Sequence, residues 1–316
     1  MTRRKVLISA PYMLPVIERF RPRLEGRGLE LVIAPVVERL EEDDLLRCIG
    51  DIAGVICGDD RFTPRVLDAA VCLKVISKWG TGIDSIDQEA CRQRGIAVRN
   101  TPNAFSEPVA DSVLGYILAF ARRIGGMADD MRRGGWRKIP GVSLRECTLG
   151  VIGVGNVGRA VVRRAAAFGM RVVGSDPIHP PAEFIAATGI EMVGQAELLA
   201  TADFISLNCD LNPTSHHLIG ERELAAMKPT AVLINTARGP IVDEPALVRA
   251  LAAKGIGGAA LDVFEVEPLP VDSPLRTMDN VSLAAHNSNS SPLAWERVHE
   301  STIKNLLDVL EAGDRR

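Results

Sequence analysis

Short apolar runs rich in Val and Ile alternate along this chain with longer amphipathic segments, the rhythm of parallel strands joined by crossover helices. Over the first hundred residues it predicts strands at Lys5–Ser9, Leu29–Ala34, Ala53–Cys57, Lys74–Lys78 and Ile96–Arg99. Helices are expected between them over Leu14–Leu24, Glu42–Ile49, Pro64–Ala70 and Gln88–Arg94, with Pro64 in a first turn that tolerates its missing amide. Five strands and four crossovers make one doubly wound unit. Asn100-Thr101-Pro102-Asn103 breaks the rhythm, because Pro102 has no donor and pushes Thr101 toward extended geometry, so a domain junction is expected there.

A helix follows from about Pro108 to Arg123, its apolar positions so widely spread that it is expected to pack on more than one side. From Thr148 to Ala285 a second series predicts strands at Leu149–Ile152, Arg171–Gly174, Phe204–Leu207, Ala231–Asn235, Gly258–Leu261 and Val281–Leu283, a six-stranded nucleotide-binding sheet. Helical spacing at Val298, Ile303, Leu306, Leu307 and Leu310 makes Ser291–Glu311 a helix expected to return to the first domain. The predicted class is α/β, with two doubly wound parallel-sheet domains, the first (1–101 and 290–316) interrupted by the second (102–289).

Length and charge narrow the partners. At 316 residues, 47% hydrophobic and 24% charged, the chain can bury two cores. A net charge of -3 gives no general field for nucleic acid or an anionic membrane, leaving a small molecule as the expected partner. The apolar run Val113–Ala121 is far short of the roughly 18 residues a spanning helix needs. Arg3-Arg4-Lys5 ahead of Val6–Ile17 imitates a secretory signal, but Pro11 and Pro15 interrupt it and no Ala-x-Ala site follows. The six cysteines, at 48, 57, 72, 91, 147 and 209, have neither zinc spacing nor scaffold density, so reduced thiols, a cytoplasmic setting and no metal site are expected.

The strongest local motif is Gly153-Val154-Gly155-Asn156-Val157-Gly158, entered from the run Leu149–Ile152 and followed by the helical stretch Arg159–Phe168. Gly153 allows the tight turn, Gly155 lets backbone amides approach a pyrophosphate, and Gly158 permits close packing of helix on strand. The positive end of the helix then faces the phosphates. Asp176, after the next predicted strand, stands near the distance expected of a ribose-binding acid. It repels a 2′-phosphate, and Pro177, Ile178 and His179 supply no arginine, so NAD is expected over NADP.

Three polar residues follow strand ends in the second series: Arg238, Glu267 and His286. Such ends face the ligand crevice of an open parallel sheet. Arg238 suits a planar carboxylate or carbonyl oxygen. His286 suits proton delivery to a ketone that hydride attacks, and Glu267 suits orienting the imidazole and favouring its protonated form. His179, His216, His217 and His299 lack such a neighbourhood and read as solvated or structural.

With these residues in place the chain resembles the D-isomer-specific 2-hydroxyacid dehydrogenase family, which includes glycerate and phosphoglycerate dehydrogenases. Lys78-Trp79-Gly80-Thr81-Gly82-Ile83-Asp84, Asn235-Thr236-Ala237-Arg238-Gly239 and Ala260-Leu261-Asp262-Val263-Phe264-Glu265-Val266-Glu267-Pro268, in this order, carry the resemblance. It implies a flavodoxin-like substrate domain with an inserted Rossmann domain, and NAD-dependent interconversion of a D-2-hydroxy acid and its 2-keto acid. It assigns Arg238 to substrate positioning, Glu267 to histidine support and His286 to acid–base transfer. Asp262 would contact the nicotinamide amide, and Asn156 with Val157 the pyrophosphate. Cys209 and Asp210 would border the adenosine side, with Thr236, Ala237, Arg238 and His286 also lining the cofactor. The Trp79–Gly82 loop would meet the substrate carboxylate through backbone amides, with Thr81 and Val109 beside the cofactor. Relatives are commonly homodimers built through the nucleotide domain, and the Pro108–Arg123 helix is the expected contributor.

The chain departs from the family in places. It reads Asn208-Cys209-Asp210-Leu211 where a histidine and proline are common, and Asn287-Ser288-Asn289-Ser290-Ser291 where a glycine-rich run usually follows the acid–base histidine. That polar run either lines the substrate pocket or caps the terminal helix. Phosphoglycerate would need cations; Lys78 is available, with Trp79 filling much of the neighbouring space. The sequence ends soon after the return helix, so no added regulatory domain is expected. The alternatives are an NAD-sensing corepressor-like module and a formate- or phosphite-type dehydrogenase; Glu267, where formate dehydrogenases carry glutamine, weighs against the latter.

Overall fold

A computed structural model describes residues 3–313 and divides the chain into two compact units, one running to Ala104 and resuming at Ser291, the other Phe105–Ser290.

The first unit is a five-stranded parallel sheet of β1 (Arg4–Ile8), β2 (Leu29–Ile33), β3 (Ile52–Cys57), β4 (Val75–Lys78) and β5 (Ala97–Arg99). Its order, β2-β1-β3-β4-β5, is flavodoxin-like. Every residue of β3 and β4 is buried, as continuous apolar runs require when helices cover both faces. One face packs on Leu45, Ile49, Phe62, Val66 and Leu67. The other meets the terminal helix Pro292–Gly313, so closely that a β-carbon on Gly54 would lie 2.8 Å from Leu306. Ser77 Oγ donates to Thr302 O across that contact at 2.8 Å. The basic and apolar N-terminal stretch forms β1, paired on both sides.

The second unit corrects the expected strand count: its parallel sheet has seven strands, not six. They are β6 (Thr148–Ile152), β7 (Arg171–Ser175), β8 (Glu191–Met192), β9 (Phe204–Leu207), β10 (Val232–Asn235), β11 (Gly258–Leu261) and β12 (Val281–Leu283), in the order β12-β11-β10-β9-β6-β7-β8. The extra strand, β8, is a two-residue edge too short to show a period, pinned where Arg171 pairs with Glu191 at 2.7 Å. The helix expected at Pro108–Arg123 runs Ser106–Ala121 and buries Ala110, Val113, Leu114, Ile117 and Ala121. Arg123, at φ 54°, is in the left-handed region, and a further helix, Ile124–Arg132, starts beyond it. Among the described residues no helix is long and apolar enough to cross a membrane, and all six cysteines are free.

Candidate active site

Strands β6 and β9 are neighbours although two strands separate them in sequence, so the crevice at their carboxyl ends lies at the topological switch point. The glycine loop leaves β6 there. Gly153 has φ 86°, and a β-carbon on it would lie 2.6 Å from Cys209 N, so the loops after β6 and β9 touch backbone to backbone. A β-carbon on Gly158 would stand 2.0 Å from Gly153 O, which ties the helix Asn156–Ala167 down on its own entry turn. Gly155 differs: a β-carbon there meets no protein atom within 4 Å. Its side faces open space beside the helix N-terminus that Asn156 and Val157 begin, which is the room a pyrophosphate needs.

Asp176, at the end of β7, accepts Val154 N and Ile178 N through its two carboxylate oxygens, each at 2.7 Å. It therefore ties the glycine loop to the turn that follows β7. Cys209 is half-buried, and burial pushes its thiol up to about 11, so it stays protonated. Asp210 is exposed and its carbonyl accepts Ser215 Oγ at 2.6 Å. Beyond β10, the buried Thr236 hydroxyl has no partner within the protein. The open glycine, the helix N-terminus, the carboxylate and this orphaned hydroxyl together fit a dinucleotide.

Arg238, Glu267 and His286 follow the ends of three adjacent strands, β10, β11 and β12. Asn235 pairs with Leu261, and Leu261 with Leu283, so the segments that follow emerge at one sheet edge from strands about 4.8 Å apart. Asn235 shapes the first turn: its Nδ2 donates to Arg238 O at 2.9 Å and its Oδ1 accepts Ala237 N at 3.1 Å. Arg238 Nη1 donates to Ala237 O at 2.9 Å. Gly239 lies against the Phe264–Glu265 backbone, where a β-carbon would fall 1.9 Å from Phe264 C. Phe264 N in turn donates to Glu267 Oε1 at 2.9 Å, and Glu267 Oε2 meets His286 Nδ1 at 3.0 Å. The turn of Arg238, the carboxylate and the imidazole thus form one contiguous set of contacts.

His286 is in the left-handed region at φ 48°, a costly conformation for a residue with a side chain. Asp262 holds it there. Its carbonyl accepts His286 N at 2.8 Å, and its two carboxylate oxygens accept Asn287 N at 2.8 Å and Ser288 N at 2.9 Å. Asp262, which the resemblance assigns to the nicotinamide amide, is buried, and its carboxylate supports the histidine loop, a part that sequence spacing does not reveal. The polar run after His286 divides likewise: Ser291 Oγ accepts Ala294 N at 3.3 Å and caps the terminal helix. Val109 is buried on the Ser106–Ala121 helix.

The remaining expected residues, Lys78 to Gly82, belong to the first unit. Lys78 is buried, its ammonium 3.2 Å from Asp59, so the cation reserved for a substrate phosphate is already engaged. Trp79 is also buried, stacked on Tyr12 with ring centroids 4.8 Å apart, and donates Nε1–H to His299 Nδ1 at 2.9 Å. His299 is therefore structural, and burial lowers its pKa, favouring the neutral acceptor form. Gly80 adopts φ 122°, Thr81 Oγ1 donates to Thr101 O at 3.0 Å, and Gly82 follows half-buried. Of the other histidines, His217 pairs with Glu265 at 2.7 Å and stacks on His216, while His179 is exposed.

Comparison with known proteins identifies the family. The profile of the D-isomer specific 2-hydroxyacid dehydrogenase NAD binding domain matches residues 114–288. The chain is 43% identical to a D-3-phosphoglycerate dehydrogenase of Methanocaldococcus jannaschii over 87% of its own length and 53% of that protein's. It is 37% identical to a glyoxylate reductase of Korarchaeum cryptofilum over 86% of its length and 81% of the relative's. Among solved structures, D-lactate dehydrogenase of Aquifex aeolicus, complexed with NAD and lactic acid, superposes with a TM-score of 0.88 at 27% identity, covering 98% of this chain and 96% of that one. The fold and site define an NAD-binding α/β protein. The chain belongs to the D-isomer specific 2-hydroxyacid dehydrogenase family, whose members named here are dehydrogenases and reductases, and its cofactor is NAD.

Proposed function

We propose that this protein interconverts a D-2-hydroxy acid and its 2-keto acid, with residues 105–290 holding the cofactor and the other unit the substrate. The observation that carries the reading is the Glu267–His286 pair at 3.0 Å on the sheet edge that also bears Arg238. When bound, NAD supplies the hydride donor or acceptor for the substrate's C2. In reduction, His286 gives a proton to the carbonyl oxygen; in oxidation it takes that proton back. With Nδ1 engaged by Glu267, the exchange falls to Nε2, and the carboxylate steadies the imidazolium between turnovers. Arg238 offers its planar donors to the substrate's oxygens. Gly153, Gly155, Asn156, Val157 and Gly158 hold the pyrophosphate and Asp176 the ribose. Backbone amides of the Trp79–Gly82 loop receive the substrate carboxylate. The engagement of Lys78 by Asp59 favours an unphosphorylated acid.

Purified protein with NADH and a panel of glyoxylate, hydroxypyruvate and bulkier 2-keto acids tests the proposal. His286→Ala is expected to lower turnover by at least roughly a hundredfold while NADH still binds. No turnover above that variant on any acid refutes the reading.

The reading includes a homodimer. The Ser106–Ala121 helix buries its apolar face within its own unit, so the exposed apolar residues beyond it support the contact instead: Ile124, Met127, Met131 and Trp136, the last 82% exposed. Sedimentation of the purified protein reads its assembly directly, and a monomer at micromolar concentration counts against the dimer.

A further inference from the structure

The Asn100–Asn103 segment, which sequence reading treats as a junction, grips the loop that begins at Trp79. Three successive carbonyls of that loop are each taken up by a donor of the same unit. Trp79 O accepts Lys78 Nζ at 3.2 Å, Gly80 O accepts Thr101 N at 2.9 Å, and Thr81 O accepts Asn100 Nδ2 at 2.6 Å. The donors are themselves fixed. Lys78 is buried against Asp59, and Asn100 O accepts Asn305 Nδ2 from the terminal helix at 3.0 Å. In a planar trans peptide the N–H points opposite to the C=O of the same unit. Fixing the carbonyls of residues 79, 80 and 81 therefore fixes the directions of the Gly80, Thr81 and Gly82 amides, turning each away from its clamp.

We propose that Lys78 and Asn100 are positioning residues for the substrate carboxylate, acting through the loop's peptide planes and not by touching substrate. The inference rests on the function proposed above. Lys78 thus works through its own neighbour's carbonyl, and its charge is balanced by Asp59. The clamp sets binding of the acid group, which is equal in ground and transition states, so its loss should appear in KM rather than kcat.

The test uses the full chain with NADH and whichever of glyoxylate or hydroxypyruvate it reduces faster, alongside the methyl ester of that acid. Asn100→Ala removes one clamp. The double variant Lys78→Met with Asp59→Asn removes another together with the carboxylate that pairs with it. Each is expected to raise KM for the keto acid about tenfold, leave kcat and the KM for NADH within about twofold, and lower the preference for acid over ester about fivefold or more. KM for the acid unchanged in both variants overturns the inference, as does an equal loss on acid and ester, which marks a merely structural role. An unmodified protein inert toward every acid of the panel refutes the function itself, and the inference with it; activity with unchanged variants refutes the inference alone.

Discussion

Gly239→Ala tests the linkage between the arginine turn and the Glu267–His286 pair to which the proposed function gives proton transfer. The added β-carbon would lie 1.9 Å from Phe264 C and O and 2.5 Å from Glu265 N, all backbone atoms that have no rotamer to yield. Ordinary contact begins at 3.4 Å, so the two segments must separate by about 1.5 Å. Phe264 N anchors Glu267, and Glu267 orients His286, so the displacement passes along hydrogen bonds to the imidazole. A misplacement of about 1 Å at reacting groups costs on the order of a hundredfold, or about 2.7 kcal/mol of barrier. Steady-state reduction of a 2-keto acid should therefore show kcat/KM lowered about a hundredfold. NADH binding, followed by quenching of tryptophan fluorescence, should weaken far less than kcat/KM, because the glycine loop on β6 lies two strands away from β10 and the altered turn carries only the Thr236 side of the dinucleotide site. A kcat/KM within about threefold of the unmodified protein, with an unchanged circular dichroism spectrum, would show that the turn and the pair are not coupled as described.

Two further perturbations address charge. Asp176→Ser removes the carboxylate that the proposed function assigns to the ribose, and it should lower kcat/KM for NADH about tenfold while narrowing the preference over NADPH by a similar factor or more; an unchanged coenzyme ratio would place the discriminating group elsewhere. Asp60 is fully buried, held by Ser9 Oγ and by Leu40 N at 2.8 Å, and burial raises its pKa from 3.8 to about 6. The folded state thus binds this proton more tightly than the unfolded chain does. Its stabilisation is complete below pH 3.8 and is lost as pH rises through 6, about 3 kcal/mol in all, of which about 2 falls between pH 4.5 and 8. Asp60→Asn should gain that much relative to the unmodified protein across the same range in urea titrations; a stability difference flat with pH contradicts the assignment.

Most strands were legible because helices cover both faces of each sheet, which makes buried strands into unbroken apolar runs such as Ile52–Cys57 and Phe204–Leu207. Strand β8 was not, since two residues carry no period. The glycine loop and the acid after β7 were readable because spacing along the chain sets their chemistry. Other parts depend on contacts between distant residues. Nothing in the order of residues says that Asp262 turns back to the amides after His286, that Lys78 finds Asp59 on the neighbouring strand's loop, or that Asn100 reaches Thr81. For the same reason Asp262 has only the ligand role that the resemblance implies, and Asn100 reads as punctuation. Ser291, beside a predicted helix start, offered a local capping signal, as did Thr63 and Asp87.

The left-handed backbone at His286 means that the aim of its imidazole is dictated from the protein's interior, where Asp262 is out of solvent's reach. Variation at that aspartate would look, in a survey of surface-lining positions, like ordinary core damage. Its first symptom should nonetheless be chemical, an imidazole free to wander in an otherwise intact fold.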